Sequence, residues 1–170
     1  MLIALAGLPG AGKSTLAKGL QARLHAEIVS RDTIRMAEFP EWDDRAAKRA
    51  AFEIVRLDAG LLLRTGATVV VDGATLAARS ERQELRELAA GLGVRFALLW
   101  LDLPSEIAAG RIAADAHEAP PDRRPGLAQA VARRFDPPAG EEGMVRLDAC
   151  LAAPRLLDAA LQALGRERPA

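Results

Sequence analysis

Between Gly7 and Ser14 the chain reads GLPGAGKS, which is the spacing G-x-x-x-x-G-K-S of a phosphate-binding loop. The chemistry follows from the residue types. Gly7, Gly10 and Gly12 let the backbone bend until successive N–H groups point inward at a phosphate. A helix after the loop adds the positive end of its dipole. Lys13 would reach the β- and γ-phosphates as a point charge, and Ser14 would offer its hydroxyl to Mg²⁺. The stretch Gly7, Leu8, Pro9, Gly10, Ala11, Gly12, Lys13, Ser14 and Thr15 is therefore the candidate nucleotide-binding segment.

Further groups stand at positions suited to phosphoryl chemistry. "SRDTIR" holds Asp32 and Arg35 three residues apart, on one side of a first helical turn. A carboxylate there can accept the proton of a hydroxyl that attacks a γ-phosphate, and the arginine can hold an anionic group. The same spacing equally suits a dipole-favoured aspartate paired with Arg35 on a solvated helix. Asp72 closes the run "TVVVD", either as part of a Mg²⁺ water shell, as a support for Ser14, or as a turn aspartate. Arg111, Arg123 and Arg124 flank or occupy "APPDRRPG", where a loop arginine meets transferred phosphate or simply stays solvated.

These residues need elements to position them, and strands alternate with helices along the chain. "LIALAG" is a buried strand by its unbroken apolar run. A helix spans about Lys13 to His25, "AEIVS" is a second strand, and Ser30 caps a helix starting at Arg31. The spacing predicts a long helix from about Asp43 to Arg64, with Phe52, Val55, Leu57, Leu61 and Leu62 buried. "ATVVVDG" and "VRFALLWLD" are further strands around a charged helix over 80–91. "SEIAAGRIAAD" reads as helix, 127–134 as another, "MVRLDA" as an edge strand and 154–164 as a last helix, with "GRERPA" a loose tail. Prolines break "AHEAPPDRRPG", which reads as a lid loop over about 115–127. Such alternation implies a parallel sheet with helices on both faces, and ligands then gather at the carboxyl ends of the strands. Trp42 and Trp100 read as core residues, and His25 and His117 as surface residues without metal-binding spacing.

Composition narrows the function. A chain of 170 residues with half of them hydrophobic fits a single domain over residues 1–170. Twenty-three acids and 23 bases cancel, so no global field draws nucleic acid or an anionic membrane. Cys150 is the only cysteine, which excludes an internal disulfide and points to a reducing cytoplasm. The apolar start is too short to span a membrane and lacks a basic leader. The chain contains no asparagine, so the N-K-x-D motif of guanine recognition cannot exist, which argues against a GTPase switch.

"GLPGAGKSTLA", "SRDTIR", "VVVDGATL" and "LWLDLPSEIAAGRI", in this order, resemble the small P-loop kinases of the polynucleotide-kinase and zeta-toxin-like group. The likeness covers about residues 1–136. It implies a three-layer α/β P-loop NTPase fold, with five parallel strands ordered 2-3-1-4-5. It further implies that Lys13 and Ser14 bind ATP and Mg²⁺, that Asp32 is the general base, and that Arg35 serves the acceptor side. By the same likeness Asp72 supports the metal or the acceptor, and a lid arginine among Arg111, Arg123 and Arg124 contacts the phosphates. The sequence departs from the group at Asp115, where a second arginine is common, and in "EAPPDRRPG", where the lid segment differs. The implied activity is an ATP-dependent kinase acting on a hydroxyl of a small molecule or a nucleic-acid 5′ end, the small molecule being favoured. An ATP-binding or ATPase module without a small acceptor is the alternative.

Overall fold

The computed structural model describes residues 1–40, 45–114 and 126–166. Strand β1 (Leu2–Gly7) is buried at every position, as its apolar run requires for a strand covered on both faces. It lies at the centre of a five-stranded sheet. On one side it pairs in parallel with β3 (Val69–Asp72), which pairs in turn with β2 (Glu27–Ser30). On the other side it pairs with β4 (Phe96–Asp102), and β4 with the edge strand β5 (Met144–Asp148). The order β2-β3-β1-β4-β5, all parallel, is the expected one.

Side chains alternate between two cores, one on each face of the sheet. Ile3, Leu5, Val70, Leu99 and Leu101 pack against α1 (Lys13–Leu24), α5 (Ser105–Ala114), α6 (Leu127–Ala132) and α7 (Ala153–Arg166). Leu2, Ala4, Val69, Val71 and Leu98 pack against α3 (Arg45–Arg64) and α4 (Arg79–Gly91). A short helix, α2 (Arg31–Glu38), begins directly after β2 and packs against α3. Its cap is the expected Ser30, whose Oγ accepts from the Thr33 N–H at 3.3 Å. None of the helices is long and apolar enough to cross a membrane among the described residues.

Three sequence expectations are corrected. In α3 the buried stripe runs through Ala51, Phe52, Val55, Ala59 and Leu63. Leu57 and Leu61 lie on the opposite side and are 67% and 65% exposed, while Leu62 is only half-buried. The apolar residues of this helix cover a wider arc than the sheet beneath it can bury. Trp100 joins neither core. It sits past Leu98 at the carboxyl end of β4, half-buried beneath its register partner Arg146, whose guanidinium stands 5.3 Å from the ring centroid. The last helix continues through Gly165 to Arg166, into what reads as tail. Trp42 and His117 lie outside the described residues, and His25 is exposed as expected.

A buried charge cluster fixes the segment that follows β3. Arg82 of α4 is fully buried; its Nη1 donates to the Leu76 carbonyl at 2.7 Å, and its Nε and Nη2 donate to Glu141 Oε1. Arg86 donates to the other Glu141 oxygen at 3.1 Å. Leu76 itself is buried at φ +47°, a left-handed conformation rare for leucine. The Arg82 contact holds that turn in place.

Candidate phosphate-binding and catalytic site

The loop after β1 and the segments after β2 and β3 converge on one cavity of about 650 Å³ at the carboxyl edge of the sheet. Residues 9–16 form its floor. Gly12 precedes α1 at φ +89°, and no side chain among the described residues caps the helix, an arrangement in which a helix N-terminus can receive an anion. Gly10 shows why glycine is required: at φ +82°, a Cβ there would stand 2.8 Å from the Ala108 carbonyl oxygen. Lys13 is buried, and its Nζ donates to the Gly7 and Leu8 carbonyls at 3.0 and 2.9 Å. The ammonium thus braces the loop from within.

Asp32 and Asp72 reach the same cavity from neighbouring strand ends. Ser30 and Asp72 are register partners across β2 and β3, which sets the first turn of α2 against the loop after β3. The close approach there depends on Gly73. Its φ is +70°, and a Cβ would meet the Asp32 N and the Ser30 Oγ, each at 2.6 Å. Only glycine permits this close approach of the first turn of α2, a role that sequence reading missed because a D-G pair signals only a turn. Asp72 is buried, and its Oδ1 has no hydrogen-bond donor among the described residues.

That orphaned oxygen tests the fit of a divalent cation. A buried carboxylate oxygen without a donor is costly unless a cation or its water shell meets it. Ser14 and Asp72 line the same cavity, and both are hard oxygen donors of the kind Mg²⁺ takes. No cluster of three or more His, Cys, Asp or Glu able to hold a metal occurs among the described residues.

The opposite wall comes from the β4–β5 side. Arg111 of α5 lines the cavity and donates from Nη2 to the Ala149 carbonyl at 2.9 Å, joining α5 to the loop after β5. Arg134, just past α6, and the exposed Cys150 also line it; neither reads as a site residue in the sequence, since nothing local marks them as such. The same holds for Arg31 and Lys48 on the β2 side. Arg35 is half-buried and is not among the residues lining the cavity. Arg123, Arg124, Asp115 and most of the expected lid lie outside the described residues; of that segment, Leu127 lines the cavity.

Comparison with known proteins agrees with this geometry. A family model for an AAA domain matches residues 2–138. No curated protein matches the chain. Among solved structures, a gluconokinase from Sinorhizobium meliloti 1021 is 22% identical with a TM-score of 0.74, covering 96% of this chain and 91% of its own. A sugar kinase from Janibacter sp. HTCC2649 is 20% identical with a TM-score of 0.74, covering 96% and 94%. The APS kinase of Mycobacterium tuberculosis, solved with AMPPNP and APS, is 19% identical with a TM-score of 0.73, covering 96% of each chain. At these identities the likeness is one of fold.

Proposed function

The chain belongs to the AAA domain family, and from that premise and the site geometry we propose that it is an ATP-dependent kinase. It transfers the γ-phosphate of ATP to a hydroxyl of a small-molecule acceptor. One observation carries the reading: a carboxylate, Asp32, and the phosphate-loop lysine, Lys13, line the same cavity from different strand ends. The similarity of fold to a gluconokinase, a sugar kinase and an APS kinase supports it. Within the family, the S-x-D-x-x-R segment is read as a mark of the polynucleotide-kinase and zeta-toxin-like group. Residues 1–170 are taken as one kinase domain, with a lid over about 115–127 that carries Arg123 and Arg124.

The triphosphate lies on the loop N–H groups, and Lys13 turns from the two carbonyls it braces to the β- and γ-phosphates. Asp32 accepts the proton of the acceptor hydroxyl as that oxygen bonds to the γ-phosphorus. The bond from the γ-phosphorus to the β–γ bridging oxygen breaks, and ADP departs with that electron pair. Arg111, from the opposite wall, meets the charge spread over the equatorial oxygens. Ser14 and Asp72 are the residues that would hold Mg²⁺, which when bound would neutralise phosphate charge. Arg35 is assigned to the acceptor side, supporting Asp32 from the same turn of α2.

Incubation with γ-labelled ATP and a panel of hydroxyl compounds tests the reading. Label should move to one acceptor, and ATP consumption should rise when that acceptor is added. Hydrolysis at one rate whatever is added would refute the kinase and leave an ATPase module.

A further inference from the structure

We propose that Arg31 and Lys48 form an anion-binding subsite on the β2 side of the cavity, so that the acceptor carries a carboxylate or phosphate besides its hydroxyl. The word acceptor rests on the kinase reading; the subsite itself does not. The first observation is charge. The whole chain is balanced at 23 acids and 23 bases, yet among the described residues the cavity is lined by five cationic side chains against two carboxylates, Asp32 and Asp72. Positive charge is thus concentrated in the one recess that must hold a ligand.

The second observation is position. The cations fall into separate groups around the loop after β1. Lys13 belongs to the loop, and Arg111 and Arg134 stand on the β4–β5 side. Arg31 opens α2 directly after β2, and Lys48 lies in the first turn of α3, which packs against α2. Because β3 lies between β2 and β1, the ends of those strands are about 10 Å apart, two strand spacings. A triphosphate on the loop occupies the cations beside β1 and leaves the β2 side to a second anion. Asp32 is the neighbour of Arg31 in the chain, so an anion held there brings its own hydroxyl toward the proposed base.

The third observation is the state of Arg31. Its side chain is only 13% exposed, and its ion pair among the described residues is with Glu81 at 3.6 Å, longer than a direct hydrogen bond. Its Nε is buried without an acceptor among the described residues. A guanidinium so far from water and so loosely matched is stabilised when an anion closes on its accessible edge. The planar fork suits carboxylate and phosphate oxygens, and Lys48 adds a flexible point charge to the same cavity from the packed helix α3.

The test uses the full chain with AMPPNP and Mg²⁺ saturating the nucleotide site. Glycerol, glycerate, glycerol 3-phosphate, sorbitol, gluconate and sorbitol 6-phosphate are titrated by calorimetry into wild type, Arg31→Ala and Lys48→Ala. At least one carboxylate or phosphate compound should bind more tightly than its neutral parent by about tenfold or more, the weight of one charge-assisted contact. Each substitution should weaken that binding by a similar factor and leave AMPPNP affinity unchanged. Should Arg31→Ala lose AMPPNP as well, Lys48→Ala, at a half-buried position, decides alone. Neutral parents binding as tightly, no anionic compound binding, or equal binding by wild type and variants would each overturn the subsite. In parallel runs with ATP in place of AMPPNP, anion binding without phosphorylation would sink the kinase reading and leave the subsite standing. Phosphorylation of neutral polyols alone would do the reverse.

Discussion

Gly73→Ala separates a site-specific effect from simple backbone strain, because Gly66 provides the matched control. Both glycines have left-handed φ, +70° and +87°. An alanine at either bears the left-handed penalty of about 1–2 kcal/mol. At Gly66 nothing lies within 4 Å of the new Cβ, so strain is the whole effect. At Gly73 the Cβ would meet Asp32 N and Ser30 Oγ at 2.6 Å and Arg31 N at 3.1 Å. Two of these are backbone atoms, so the first turn of α2 must move and the Ser30–Thr33 cap must open. Loss of that cap adds about 1 kcal/mol, or about 2–4 °C of further Tm loss beyond Gly66→Ala. The kinetic effect is larger: displacing Asp32 by about 1 Å is expected to lower kcat about 100-fold, with ATP affinity unchanged. Gly66→Ala should keep full turnover. Thermal melts, ATP calorimetry and phosphate transfer on both variants decide it. A Gly73→Ala protein that melts with Gly66→Ala and turns over normally would refute the view that this contact positions Asp32.

Asp32→Asn should slow phosphate transfer by about 10²–10⁴-fold and leave ATP affinity unchanged, since the amide keeps the shape and loses the base; near-normal transfer would remove Asp32 from the mechanism. Asp72→Asn should melt higher than wild type in EDTA, because a buried charge with an orphaned oxygen is removed. It should also gain less from Mg²⁺ with AMPPNP, and an undiminished gain would argue against Asp72 as a metal support. Burial raises the Glu141 carboxyl, but hydrogen bonds from Arg82 and Arg86 outweigh it and hold the group below its usual 4.5. The unfolded chain therefore takes up this proton first as pH falls. The stabilisation is complete above about pH 4.5 and is lost as pH drops through the depressed value. Urea midpoints at pH 7 and pH 3 should show Glu141→Gln weaker at neutrality with a shallower acid slope, whereas an unchanged slope would place the acid sensitivity elsewhere.

The phosphate loop was legible because its chemistry is carried by consecutive residues, and strand-helix alternation was legible because β1 and β3 are continuous apolar runs. The sheet order came from resemblance, since no local pattern states which strand lies beside which. Leu57 and Leu61 misled because a helix can carry more apolar surface than its neighbours cover, and periodicity alone does not say where the covered arc ends. Trp100 misled because an aromatic side chain reads as core by its type, whereas the core on its face stops at Leu98. Arg31, Lys48 and Arg134 were invisible as site residues because the cavity is assembled from segments far apart in sequence. Gly73 was visible as a turn and not as a contact, since its partner atoms lie some forty residues away.

The central place of β1 bears on how the chain is made. Residues 2–7 leave the ribosome first among the strands, yet their hydrogen-bonding partners are residues 69–71 on one side and 96–101 on the other. At about 5–20 residues per second, β1 emerges about 5–20 seconds before β4 does. Until β3 emerges both edges of this apolar strand lack their partners, and until β4 emerges one edge still does, beside a glycine-rich loop. Synthesis is therefore the stage at which this sequence is most exposed to aggregation, and the stage at which a chaperone that covers apolar strands gives it the greatest benefit. Slowing translation between residues 72 and 96 would lengthen the exposure; a substitution in the finished cavity would not.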